Sequence, residues 1–432
     1  MSPTPLFSPW VDWLAYVLVV GLAVSGSRNR RVSAVMLAGV LIISWVFGTA
    51  KLFLLPLALG GMIWILMVCS KNPWRRLGKC AAIGGTVGTA LLCWVFPVPE
   101  PPPLIGKYPV GTFTLDIPAA ANGSSRLLAQ VWYPAGDIAG KPAMPWLPDR
   151  ELAPKFPYQR LAFAKAHARL DVPVADIHGL LPVIFYEHSW MGHRFENIPQ
   201  VESLAAEGFV VVAVDHPGQA ERVLYPDGTV VNGRYAEPLD FSSEKSVTAF
   251  TIDAELCFIE RLKNVERVRQ ALAGNVAKKL SGKLKLDHVG VFGFSFGGST
   301  AIRLCAENPA FVAGANEDGL FLGDQMPRGA FLFFDQEMPA WLETAPKPGE
   351  DAGQILTRQA EARIQAALKQ PHRDRFILDG TRHLSFSDRI FGSRFPRLAR
   401  VGTRPQKEVH EIVSKRSAEF FKRELGPIEK PE

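Results

Sequence analysis

The residues best suited to chemistry lie in GVFGFSFGGST, positions 290 to 300, where Ser295 stands between Gly293 and Gly297. Glycine two residues before and two after a serine suits a tight turn from a strand into a helix. Such a turn strains the serine backbone, and larger side chains at the flanking positions would clash. The apolar run HVGVFGFS reads as the strand, and STAIRLCAEN reads as the helix. Ser295 would then open that helix, where the positive end of the dipole favours developing negative charge. The pattern by itself is weak. A serine N-cap is the competing reading, but a cap does not require the glycine bracket.

A hydroxyl nucleophile needs a base, and the base needs an acid to orient it. His383 follows the strand-like RFILDG in the loop TRHLSF, and so completes the chain order serine, acid, histidine. His372 precedes that strand, and His410 lies inside a helical pattern. His188 and His216 end strand-like runs and read as packing or rim histidines. Two acids stay open: Asp318 in AGANEDGLF, and Asp335 at the end of AFLFFD. Glu317 and Asp324 read as solvated loop residues. The oxyanion would be bound by the backbone N–H of Phe296 and by that of Trp190 or a neighbour in the turn His188-Ser-Trp-Met-Gly192. The five cysteines form no Cys-x-x-Cys pair or Cys/His cluster, so neither a zinc site nor a disulfide framework is suggested, and a serine mechanism asks for no metal or other cofactor.

These residues need a frame to hold them. From Gly106 onward, apolar strand-like runs alternate with helical ones, the pattern of a mainly parallel sheet covered on both faces. GTFTLDIPA and RLLAQVWYPAG read as an antiparallel pair. LPVIFYEHS and VVVAVDHPG read as buried strands, and helices are expected over about 246–272 and 406–425. Two segments, 144–178 and 325–371, exceed what such a frame needs. Both read as helix-rich, and they suit either a pocket for acyl or leaving group or ordinary cap helices.

The first hundred residues have a different texture. Four apolar runs, at 10–26, 33–49, 52–69 and 80–97, are each about 17 or 18 residues long, close to the minimum for a helix crossing a ~30 Å hydrocarbon core. Six tryptophans, including Trp74 and Trp94, fall mostly near run ends, as interfacial aromatics do. A cleaved signal peptide would carry cations before its apolar stretch, whereas the first cation here is Arg28. Arg28, Arg30 and Arg31 fill the first break, and Lys71, Arg75, Arg76 and Lys79 the third. Positive loops stay inside, so both ends and the following domain are expected outside the cytoplasm. Pro97-Val-Pro-Glu-Pro-Pro-Pro103 reads as a stiff spacer. Residues 1–99 hold eight cations and one anion, and the whole chain carries +6, so the remainder is close to neutral. The basic balance therefore belongs to the apolar part and argues against nucleic-acid binding.

The motifs resemble those of the secreted, plasma-type platelet-activating-factor acetylhydrolases and their bacterial relatives, within the α/β-hydrolase superfamily. VGTFTLDI…RLLAQVWYPAG, LPVIFYEHSWMGHRFENIPQVESLAAEGFVVVAVDHPG, GVFGFSFGGST and AGANEDG carry the resemblance, which spans roughly 106–390. It implies Ser295 as nucleophile, Asp318 as acid, His383 as base, and Phe296 and Trp190 as oxyanion donors. The spacing of 23 residues from Ser295 to Asp318 matches the family and favours Asp318 over Asp335. The family usually has His-Gly at the oxyanion turn, and His188-Ser189 departs from that. Its plasma members also lack four N-terminal spans.

The expectation is therefore an α/β-hydrolase domain over 106–430, preceded by a four-helix transmembrane region over 1–99 and a spacer over 100–105. The protein would sit in a bacterial inner membrane, with its catalytic domain extracytoplasmic. It would cleave carboxylic esters, with short-chain or oxidised acyl phospholipids implied by the resemblance. The alternatives are a hydrolase of other short acyl esters, a peptidase using the same triad, or an inactive membrane scaffold.

Overall fold

The computed structural model of the chain describes residues 55–67, 72–120, 123–149, 152, 158–235, 239–395 and 397–426. The chain divides into two compact units.

The first unit runs to Pro99 and takes in 153–164 and 392–395, two short segments that the sequence reading gave to the hydrolase domain. Its described residues hold two α-helices, α1 (Leu55–Met67) and α2 (Asn72–Val95). They approach at backbone distance. A Cβ on Gly60 would lie 2.3 Å from the Ala81 carbonyl oxygen, and one on Gly85 would lie 2.2 Å from that of Pro56. Small residues permit such close helix pairs. Thr89 Oγ1 accepts from the Leu57 N–H at 3.0 Å, tying the two helices together. The other end of α2 is met by cations. The Arg160 guanidinium donates to the carbonyls of Cys93 and Phe96 and that of Arg394 to the Trp94 carbonyl, while the Arg394 backbone N–H donates to the Val95 carbonyl. Guanidinium groups suit the negative end of the helix dipole. Among the described residues one stretch, Arg76–Val95, is long and apolar enough to cross a membrane. The expected spans at 10–26 and 33–49 lie outside the described residues.

The second unit is built on a ten-stranded sheet. Its strands are β1 (Val110–Ile117), β2 (Leu127–Pro134), β3 (Ala143–Pro145), β4 (Lys165–Leu170), β5 (Leu181–Glu187) and β6 (Val210–Asp215), then β9 (Leu284–Phe294), β10 (Phe311–Glu317), β11 (Ala330–Gln336) and β12 (Arg373–Leu378). A separate hairpin joins β7 (Arg222–Leu224) and β8 (Val230–Asn232). The spatial order is β12-β11-β10-β9-β5-β6-β2-β1-β4-β3. From β6 to β12 every pair is parallel, and β2 meets both β1 and β6 antiparallel. Every residue of β5 and β6 is buried, as continuous apolar strands in a doubly covered sheet must be. Five helices cover it: α3 (Ile198–Ala206), α4 (Glu244–Ala273), α5 (Phe296–Glu307), α6 (Ala352–Leu368) and α7 (Gln406–Leu425).

Segment 144–178 differs from its helix-rich reading. Its described part holds the end of β3, all of β4 and one 3₁₀ turn over Tyr158–Phe163. The reason is period: Lys165-Ala-His-Ala-Arg-Leu170 alternates small apolar with polar residues, and β4 pairs with both β1 and β3. Segment 325–371 does hold a long helix, α6, capped by Asp351, whose side chain accepts from the Gln354 N–H.

Candidate active site

β9 rises from a partly exposed start into a buried end and delivers Ser295 at its tip. Ser295 adopts φ 57° and ψ −122°, a strained conformation for a residue with a side chain. The glycine bracket has a direct cause. A Cβ on Gly293 would fall 2.3 Å from the Gly297 carbonyl carbon, and one on Gly297 would fall 1.9 Å from the Glu187 oxygen. Backbone bonds hold the turn, including Ser295 N–H to the Glu317 carbonyl at 2.8 Å.

The acid lies one strand over. Asp318 follows β10 at φ 56°, and its N–H donates to the Phe334 carbonyl on β11 at 2.7 Å. Asn316 staples this loop, accepting from the Gly319 N–H and donating to the Gly319 carbonyl, each at 2.8 Å. His383 begins a 3₁₀ turn after β12. Its Nδ1 lies 2.6 Å from Asp318 Oδ2, and its Nε2 lies 3.0 Å from Ser295 Oγ. Gln336, one residue past Asp335, ties the two loops together. Its backbone N–H donates to Asp318 Oδ1 at 2.9 Å, and its side-chain oxygen accepts from the His383 N–H at 3.0 Å. The Asp318 side chain is 6% exposed and that of His383 is 42% exposed. The acid is thus shielded while the imidazole faces the cavity.

Of the two acids left open by motif alone, the structure brings Asp318 onto His383 and turns Asp335 elsewhere. Asp335 accepts from Arg375 Nε at 2.8 Å, and Arg375 also grips Glu361 with both terminal nitrogens. Burial pushes the Asp335 carboxyl up to about 7, against the pull of that arginine. Asp324 is exposed and pairs with Arg363. Glu317, read as solvated, is fully buried because it ends the interior strand β10. It accepts from the side-chain amides of Asn197 and Gln200, and burial pushes its carboxyl up to about 8.

Phe296 is the first residue of α5, so its N–H belongs to the turn that lacks a helical acceptor. Trp190 lies in the turn after β5, and its indole meets the Phe296 ring edge-on at 5.1 Å. The two expected oxyanion residues are thus neighbours. Ser189, in place of the usual glycine, is pinned by Glu196, which accepts from its N–H at 2.9 Å and its hydroxyl at 2.7 Å. His188 and His216 are buried polar groups rather than rim residues. Burial holds both imidazoles well below their ordinary range. Arg261 was missed on sequence. Its signal was there: it falls on the buried stripe of α4 with Ala254, Phe258, Val265 and Val268, the one cation at that spacing.

A cavity of ≈ 500 Å³ opens over Ser295, Asp318 and His383. Its wall is largely apolar. Phe241 and Phe250 come from one side, and Met338, Trp341, Leu342 and Leu356 come from the segment between β11 and β12. Segment 325–371 therefore lines the site. Segment 144–178 contributes no lining residue among those described.

Residues 170–319 match the profile of the dienelactone hydrolase family, a stretch that contains Ser295 and Asp318 and stops short of His383. No curated protein matches the chain. Among solved structures, the ferulic acid esterase from Streptomyces cinnamoneus is similar at 21% identity and TM-score 0.56, over 77% of this chain and 96% of that one. The dienelactone hydrolase from Anabaena variabilis aligns at 13% identity and TM-score 0.38, over 74% of this chain and 100% of that one. The strand order, the elbow at the tip of β9 and the superposition on the Streptomyces enzyme together give the second unit the α/β-hydrolase fold.

Proposed function

We propose that this chain is a membrane-anchored serine hydrolase of carboxylic esters. Ser295 attacks the acyl carbon while His383 Nε2 takes its proton, and Asp318 holds the imidazole in the tautomer that can accept it. The N–H groups of Phe296 and Trp190 bind the oxyanion. His383 then returns the proton to the leaving alcohol, and water attacks the acyl-enzyme by the same route in reverse. The observation that carries this reading is the unbroken hydrogen-bonded run Ser295–His383–Asp318 at the floor of an apolar cavity. The match to the dienelactone hydrolase family and the likeness to an esterase fold support an ester as substrate.

The cavity also supports a short or compact acyl group. Its volume lies within the range of small-molecule pockets, and aromatic and aliphatic side chains line it. The motif resemblance favours acetyl or oxidised short acyl chains on phospholipids. The full-length chain in detergent should hydrolyse p-nitrophenyl acetate and butyrate readily, with kcat/KM falling at least about tenfold by palmitate, since each displaced methylene costs favourable burial. A flat profile would remove the short-acyl assignment, and no turnover of any ester would remove the enzyme assignment.

Anchoring rests on separate observations. Leu59, Met62, Ile83, Val87 and Leu91 are exposed on the two described N-terminal helices, as residues facing lipid would be. Trp74 and Trp94 lie near the ends of α2, about 30 Å apart at helical rise, the thickness of a hydrocarbon core. Alkaline phosphatase fused after Pro103 should be active, and fused after Lys79 inactive, if positive breaks face the cytoplasm. The reverse pattern would invert the orientation.

A further inference from the structure

Beneath the oxyanion turn lies a charge that the reaction scheme does not use. Arg261, midway along α4, is 1% exposed. The Glu187 carboxylate pairs with it at 3.8 Å, beyond hydrogen-bond reach, and makes its hydrogen bond to His216 Nε2. The guanidinium donates to neutral oxygens. Nε bonds Gln219 Oε1 at 2.9 Å, and Nη1 bonds the His188 carbonyl at 2.7 Å. Nη2 reaches the Ser189 carbonyl at 3.4 Å. His188 Nδ1 lies 2.8 Å from that same carbonyl and 3.3 Å from Nη2, and the Gly192 N–H donates to the carbonyl at 3.1 Å.

In a trans peptide the C=O and the following N–H point in opposite directions. Holding the Ser189 carbonyl against Arg261 therefore turns the Trp190 N–H away from the guanidinium. The same group reaches the other donor residue. Its Cζ lies 4.8 Å from the Phe296 ring centroid, and Nη1 is 3.5 Å from Thr300 Oγ1, which donates to the Phe296 carbonyl at 2.9 Å. One buried cation thus spans the turn after β5 and the start of α5.

We propose that Arg261 is the positioning residue of the oxyanion hole: it fixes the peptide planes at 188–190 and the first turn of α5, so that both donors stand ready before the oxyanion forms. This rests on the serine-hydrolase reading above. Donors fixed in advance cost no reorganisation at the moment of reaction, so the effect belongs to the transition state and not to ester binding. The cation also adds a favourable potential behind both peptide dipoles in a dry interior.

The test uses full-length wild type, Arg261→Lys and Arg261→Met in detergent, with p-nitrophenyl acetate and a boronic acid that mimics the tetrahedral intermediate. Arg261→Met should lower kcat about 100-fold with KM within about twofold, and weaken boronate binding by a similar factor, because the loss is confined to the transition state. Arg261→Lys should recover part of it, losing about tenfold, since it keeps the charge but not the planar fork. If Arg261→Met fails to fold, Gln219→Leu removes the acceptor that anchors Nε and should lower kcat about fivefold at constant KM, with the boronate following. Equal kcat in folded variants, or a loss carried by KM with boronate affinity unchanged, overturns the proposal. Absence of turnover in the wild type would instead overturn the hydrolase reading, so the two failures are distinct.

Discussion

Ser295→Ala is expected to lower kcat for short p-nitrophenyl esters by about 10⁴-fold or more, with KM nearly unchanged, as when the nucleophile of such a triad is deleted. The change removes one oxygen from the floor of the cavity and leaves its apolar wall intact. The backbone at φ 57° already accommodates a Cβ, so alanine asks for no new conformation. Ester should therefore still bind while acylation stops. A fluorophosphonate probe should label the wild type at Ser295 and leave the variant unlabelled. Retained turnover or labelling in the variant would show that another group carries the chemistry.

Asp318→Asn should cost kcat about 10³- to 10⁴-fold, through the tautomer of His383. Asp318 Oδ1 is fixed by the Gln336 backbone N–H and must remain an acceptor. An asparagine oxygen would take that place, which puts its NH₂ where Oδ2 now meets His383 Nδ1. Nδ1 would then have to accept, Nε2 would carry the proton, and the base would face Ser295 already protonated. Asp335→Asn is the contrast. It weakens the grip on Arg375 at the cavity wall, where the effect on kcat should stay within about tenfold and appear partly as lost thermal stability. If Asp335→Asn proved the more damaging to kcat, the assignment of the acid would be reversed.

Much of the frame was legible because its signals are local. The continuous apolar runs of β5 and β6, the glycines around Ser295 and the helical pattern ending at Leu425 state their structure within a few residues. Ser295 was legible because it ends a recognisable strand between two glycines, and His383 because it follows the last one, while Asp318 came with them through the family spacing. What failed locally was what depends on pairing. Lys165–Leu170 reads as polar and short, and becomes a strand only because β1 and β3 lie on either side of it. Glu317 resembles any loop acid until Asn197 and Gln200, more than a hundred residues away, are found bonded to it. Choosing between Asp318 and Asp335 by residue type alone was equally impossible, because the decision lies in where Arg375 and His383 arrive. Arg261 could have been suspected as a cation on an otherwise apolar stripe, but its partners in the 188–189 turn could not.

The wall between β11 and β12 has a consequence for how such an enzyme diversifies. Met338, Trp341, Leu342 and Leu356 shape the chamber, yet none of them bonds the strand tips that carry Ser295 and Asp318. Ester preference and bond-breaking machinery are thus inherited on separate stretches of chain. A descendant, or a designer, could exchange Met338, Trp341 and Leu342 and meet a new ester with the old chemistry untouched, whereas Leu356, which packs with Trp190 and Phe296, and Glu361, which Arg375 grips, belong to the frame.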